Sequence, residues 1–140
     1  MISEFKVGQT EQDKVTVTEE MVNEMAVISN DFNLIHLSDE YAKNSIFGKR
    51  IAHGLVCEAL VSCLIGNKLP GSGAILTSIE FKFRGPVYIG DTITAIGTIK
   101  QIDYLKKRML IEVNCINQFG EIVTESYSKV TYLEISNTEL

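Results

Sequence analysis

No C-x-x-C pair, no Walker-type or dinucleotide-binding glycine fingerprint, and no apolar run near the ~20 residues needed to span a bilayer occurs in this chain. Each absence removes a class of protein. Cys57 and Cys63 fall within an apolar helical pattern and Cys115 within a strand pattern, so all three read as buried free thiols of a reducing compartment. The opening residues MISEFKVGQTEQDK hold no apolar segment of the kind a secretory signal needs, and a cytoplasmic protein without membrane contact is expected. Basic residues are scarce as well. Thirteen Lys and Arg against eighteen Asp and Glu give a net charge of −5, and Lys106, Lys107 and Arg108 form the only basic run. That balance argues against a nucleic-acid partner, although an anionic small molecule would still find local lysines. His36 and His53 lie on different elements without the spacing of a zinc site, so neither a metal nor any other cofactor is expected.

What is present is a core. The chain is 140 residues long and 45% hydrophobic, without repeat, linker or low-complexity tract, which suits one domain over 1–140. Thr18 is a good N-cap, followed by Glu19 and Glu20 in a first turn and by Met21, Met25 and Ile28 at helical spacing, which predicts a helix over 18–29. Asn30 is placed as a left-handed cap, 30–37 as a loop, and Ser38 as the start of a short helix toward Asn44. The segment HGLVCEALVSCLIGNKL, 53–69, is apolar around most of its circumference and predicts a helix buried on most sides, with Glu58 and Ser62 as polar exceptions one turn apart. After Pro70 and Gly71 the pattern turns to strands. Ile79, Phe81 and Phe83 alternate with polar residues as one buried face, and further strands are expected at 92–103, 108–118 and 121–135, with a short one at 14–17. An antiparallel sheet curled around one long helix satisfies both patterns, an α+β solution.

Both histidines fall in one span, SNDFNLIHLSDEYAKNSIFGKRIAHGL, 29–55. Within it, Asp31, Asn33 and His36 spell D-x-N-x-x-H, FGKRIAHGL follows at 47–55, and GPVYIGDTI stands at 85–93. Together these closely resemble the MaoC-like dehydratases, and within them the (R)-specific enoyl-CoA hydratases, over nearly the whole chain. The resemblance implies the hot-dog fold and a hydro-lyase that reversibly converts trans-2-enoyl-CoA to (R)-3-hydroxyacyl-CoA. It further implies that Asp31 activates the water, that His36 orients it and shares the proton traffic, and that Gly54 supplies an oxyanion donor.

The chemistry can also be built from the residues. Adding water across an enoyl thioester needs a base for the water, a proton for the α-carbon, and stabilisation of the enolate oxygen. A loop can bring the Asp31 carboxylate and the His36 imidazole onto one water. The N-terminus of a buried helix offers unpaired N–H groups, and Gly54 lets a ligand approach them closely. Asn33 is expected to brace the loop through its amide. Ser62 either bonds back to the Glu58 carbonyl or reaches the active loop. Glu58 is a second carboxylate that Asp31 makes redundant, and His53 reads as a brace. The substrate-binding set is thus Gly54, Asn33, Ser62 and Ile65. Val61 and Ile65, facing Val130 and Tyr132, are expected to close an acyl tunnel at about four to six carbons. An exposed edge strand predicts a homodimer or a dimer of dimers. A hot-dog thioesterase and a non-catalytic acyl-CoA-binding subunit remain alternatives, and the acyl carrier is coenzyme A or acyl carrier protein.

Overall fold

A computed structural model describes residues 1–135. A 3-10 turn at Ile2–Glu4 precedes β1 (Thr10–Thr16), and three helices follow: α1 (Glu19–Ser29), α2 (Leu34–Leu37) and α3 (Asp39–Lys43). The long helix α4 (Leu55–Asn67) then leads to β2 (Ala74–Phe83), β3 (Thr92–Asp103), β4 (Arg108–Ile116) and β5 (Ile122–Tyr132). The five strands form one sheet in the order β1-β3-β4-β5-β2, with every neighbouring pair antiparallel. Register shifts that leave an extra residue in β2, β3 and β5 add local bends that help the sheet curl.

The concave face holds the core. Alternate residues Ile111, Val113 and Cys115 of β4 are fully buried, as are Ile93, Ala95 and Ile99 of β3, and they meet Val56, Leu60, Val61, Leu64 and Ile65 of α4. Gly97 is needed where helix and sheet come closest, because a Cβ there would stand 2.8 Å from a Leu64 methyl and 3.2 Å from one of Leu69. This is the α+β arrangement of helix within sheet that the pattern predicts.

Several expectations are corrected in detail. The 30–37 segment contains α2, because the Asn33 side chain caps a four-residue helix there. β1 begins at Thr10 rather than 14, a stretch whose polar sequence carries no alternation since it is an edge strand paired only with β3. β2 starts at Ala74, four residues before the alternation becomes visible. β4 and β5 end at Ile116 and Tyr132, short of the expected 118 and 135, and residues 136–140 lie outside the described residues. The helix α4 is not buried all round: Leu55, Ala59, Ser62, Cys63 and Gly66 make an exposed stripe. Cys63 is therefore exposed, while Cys57 and Cys115 are buried thiols as expected.

The alternation in β2 is real, yet its apolar face is only partly covered. Ile79 and Phe83 are 37% and 58% exposed, and Phe81 is half-buried with its ring 5.9 Å from that of Phe83. β2 is the other edge strand, where α4 leaves the face open.

Candidate active site

Local chain chemistry places the acidic loop. Asn30 takes φ 58°, which ends α1 in the left-handed cap expected of it. Asp31 Oδ1 then accepts from the Asn33 N–H at 3.1 Å, and Asn33 Oδ1 accepts from the Ile35 N–H at 3.2 Å, so two consecutive side-chain turns feed α2. His36 is the third residue of that single helical turn. The segment entering α4 is fastened against this loop: the Ile51 N–H donates to the Ile35 carbonyl and the Ala52 N–H to the Val87 carbonyl. Arg50, its side chain only 11% exposed, donates to Glu19 and Asp39 at 2.7 Å each and so ties the segment to α1 and α3. These bonds, first that to Glu19, hold the Arg50 guanidinium above its ordinary range.

The orientation of His36 follows from its partners. Nδ1 lies 2.7 Å from the Ile51 carbonyl, which can only accept, so Nδ1 carries the proton and donates. Nε2 is left as an acceptor 3.9 Å from Asp31 Oδ2. That gap is too long for a direct hydrogen bond and right for one bridging water, which at ~2.8 Å from each atom would open an angle of about 90°. The Asp31 carboxylate is half-exposed and opens on the same cavity as the buried His36.

His53 completes a cluster that sequence spacing conceals. Its Nε2 donates to the Asp31 backbone carbonyl at 3.0 Å, and its ring stacks on His36 with centroids 3.8 Å apart and planes 26° from parallel. The loop-brace reading of His53 fits this contact. The separation in sequence that argued against a metal site is overturned, since ligand atoms of Asp31, His36 and His53 all lie within 4.8 Å of one another. A metal binds imidazole in the ring plane, and nearly parallel stacked rings aim their in-plane lone pairs alongside one another rather than at one point. The arrangement fits a water between carboxylate and imidazole better than a closed coordination shell.

Gly54 is the N-cap of α4, and its N–H makes no hydrogen bond to any other described residue. A Cβ at this position would sit 2.6 Å from the Phe83 ring, so the glycine lets that ring lie against the helix entrance. The cavity here holds about 640 Å³ and brings together Asp31, His36, His53, Gly54, Cys57 and Glu58 along one wall. Opposite lie Phe83, Val87 and Thr124. Cys57 enters as a neutral thiol, pushed up by its hydrogen bond to Cys115 and by burial. Thr124 Oγ1 and His53 Nδ1 are buried with no partner at hydrogen-bonding distance.

Other expected site residues lie elsewhere. Asn33 turns inward on its own loop, Ser62 is on the exposed stripe of α4, and Ile65 is in the core against the sheet, as are Val61 and Val130. None of the five lines the cavity. Tyr132 packs on Phe5 with ring centroids 5.5 Å apart. The cavity touches α4 only at Leu55, Cys57 and Glu58 of its first turn, and Leu60, Val61, Leu64 and Ile65 farther along are buried in the core. Thr124 lines the cavity without any local mark in its sequence, and Val87 lies in the 85–93 motif without being singled out there, because the pairing that brings β5 and the 84–91 turn to this place is long-range.

Residues 4–118 match the family model of the MaoC-like domain. This chain belongs to the MaoC-like dehydratase family. The MaoC-like chain is 35% identical over 127 residues to an (R)-specific enoyl-CoA hydratase of Rhodospirillum rubrum, covering 91% of this chain and 88% of the relative. It is 37% identical over 112 residues to a 3-hydroxybutyryl-CoA dehydratase of Methylorubrum extorquens, covering 80% and 71% respectively. Among solved structures, an unliganded R-hydratase from Pseudomonas aeruginosa superposes with a TM-score of 0.91 at 29% identity, covering 99% of this MaoC-like chain and 92% of the other. The shared architecture is the hot dog. No helix among the described residues is long and apolar enough to cross a membrane.

Proposed function

We propose that this protein is a hydro-lyase that adds water reversibly to trans-2-enoyl-CoA, giving (R)-3-hydroxyacyl-CoA. One observation carries the reading: an Asp31 carboxylate and a His36 Nε2 acceptor stand one water apart, on the same cavity as the unpaired Gly54 N–H. A water donating to both groups turns its lone pairs toward the substrate. Asp31 takes a proton as the water oxygen bonds C3, the C2–C3 electron pair moves onto the thioester oxygen, and the Gly54 N–H at the positive end of α4 stabilises that enolate. The proton then returns to C2, and the net change is H to C2 and OH to C3. His36, fixed by the Ile51 carbonyl, aims the water, and His53 holds the Asp31 backbone in place. Names and identities of the relatives support the reaction class, and the R configuration rests on the names of the Rhodospirillum rubrum and Pseudomonas aeruginosa proteins.

Short acyl groups, about four to six carbons, fit a cavity whose inner end is closed by buried Cys57 and Thr124. A second copy would cover the half-open apolar face of β2, where Leu76, Ile79 and Phe83 are exposed beside an unpaired edge. The working unit is therefore a homodimer or a dimer of dimers, placed in the cytoplasm where the three cysteines stay reduced. Incubation with crotonyl-CoA and no added metal or nucleotide tests the reaction. Loss of the enoyl absorbance with no release of free thiol is expected; release of coenzyme A thiol without a 3-hydroxy product would mean a thioesterase.

A further inference from the structure

A second concavity of about 620 Å³ adjoins the first, with Arg84, Gly85 and Pro86 forming walls of both. Its far side is made by Lys49, Tyr88 and the turn between β4 and β5, including Phe119. Lys49 has no carboxylate partner among the described residues, and its ammonium lies 4.6 Å above the Tyr88 ring, which orients the side chain across the groove. The Tyr88 hydroxyl donates to the Phe47 carbonyl, so this platform is itself anchored to the segment that leads into the site. Arg84 Nε donates to Glu125 Oε2 at 2.9 Å with Nη2 at 2.9 Å from the same oxygen, which leaves Nη1 on a half-exposed guanidinium turned to the groove's shared wall. Phe119 is 76% exposed at the rim. Two carboxylates share the wall, and both are engaged with the protein: Asp91 accepts from the Tyr88 N–H and from Gln118, and Glu121 accepts from Asn117. In a chain of net charge −5, an unpaired lysine and an arginine together at the continuation of a thioester cavity are a local exception.

We infer that this groove seats the phosphorylated arm of the acyl carrier, with Lys49 and Arg84 on its phosphate oxygens and the Phe119 ring offering a flat face to the adenine of coenzyme A. The inference rests on the reading of the first cavity as a thioester site. The shared Arg84–Pro86 wall offers the pantetheine of an acyl group held there a way out, and the groove beyond it carries these two cations. Phosphate recognition by Lys and Arg uses charge-assisted hydrogen bonds, which are shorter and stronger than neutral ones and weaken with salt.

Calorimetric titration separates this groove from the chemistry, because it reads binding whether or not turnover occurs. The probes are coenzyme A, 4′-phosphopantetheine and pantetheine, each titrated into wild type and into Lys49→Gln, an exposed position that the fold does not depend on. The ratio of coenzyme A to pantetheine affinity is expected to fall roughly tenfold in the variant, and in the wild type to shrink as salt is raised. If 4′-phosphopantetheine loses as much as coenzyme A, the cations read the phosphate that a carrier-protein arm shares; if only coenzyme A loses, they read its 3′-phospho-ADP. A ratio that is the same in both proteins, or a wild type binding coenzyme A no tighter than pantetheine, overturns the assignment. An inert wild type that still binds coenzyme A in this manner would count against the proposed reaction and leave the groove standing.

Discussion

Replacing Gly54 by Ala should separate the role of its N–H from simple packing. The added Cβ would stand 2.6 Å from Phe83 Cε1 and 2.9 Å from Cζ, well inside van der Waals contact. Phe83 is 58% exposed, so its ring can swing away. The strain should therefore fall below the ~1–3 kcal/mol typical of overpacking a sealed core. Gly54 has φ −54° and ψ −30°, values an alanine adopts without penalty, so folding stability should change by less than about 1 kcal/mol. Catalysis should suffer more. The displaced ring and the new methyl both crowd the approach to the Gly54 N–H, and a misplacement near 1 Å costs roughly 10- to 100-fold in rate. The assay is kcat/KM for crotonyl-CoA, with thermal melting as the control for folding. Phe83→Ala added to Gly54→Ala should recover much of the loss if the ring is the obstacle, and little if the methyl itself blocks the thioester oxygen. A Gly54→Ala protein within about threefold of wild type would refute the placement of the enolate oxygen at this N–H.

Three further outcomes are expected. Asp31→Asn keeps the side-chain acceptor that turns the loop toward the Asn33 N–H but removes the base, so kcat should fall roughly 10²- to 10⁴-fold with little change in melting temperature; activity within tenfold would exclude the proposed role. Ile65→Ala deletes a buried core side chain away from the cavity and should cost about 2–5 kcal/mol in denaturant titration without changing chain-length preference, whereas Cys57→Ala at the cavity end should raise the eight- to four-carbon kcat/KM ratio about three- to tenfold. Sedimentation should find a dimer at micromolar concentration that Ile79→Lys dissociates, and a stable, active wild-type monomer would contradict the pairing through β2.

The parts of this molecule legible in its sequence are those set by short-range chemistry. Thr18 capping α1, the left-handed Asn30 and the alternation of β2 are each decided within a few residues, and each is found where its pattern puts it. What stayed hidden depends on long-range register. Ser62 and Ile65 share a helical face with Glu58 in projection, yet the sheet covers Ile65, solvent reaches Ser62, and only Glu58 meets the cavity. The edge position of β2, and with it the half-open Ile79–Phe83 face, follows from β5 pairing between β4 and β2, which no local pattern records. The stacking of His36 on His53 is a meeting of α2 with the segment entering α4 through the Ile51–Ile35 and His53–Asp31 bonds, again invisible to spacing.

The most direct test of the central claim is where the oxygen of solvent water goes. Crotonyl-CoA is incubated with the wild-type protein in ¹⁸O-water, and the product is resolved by chiral chromatography and mass spectrometry. The proposed mechanism predicts ¹⁸O on C3 of (R)-3-hydroxybutyryl-CoA with the thioester intact, and loss of that labelling rate in Asp31→Asn. Label in a free carboxylate, or at C3 of the S product, would contradict it.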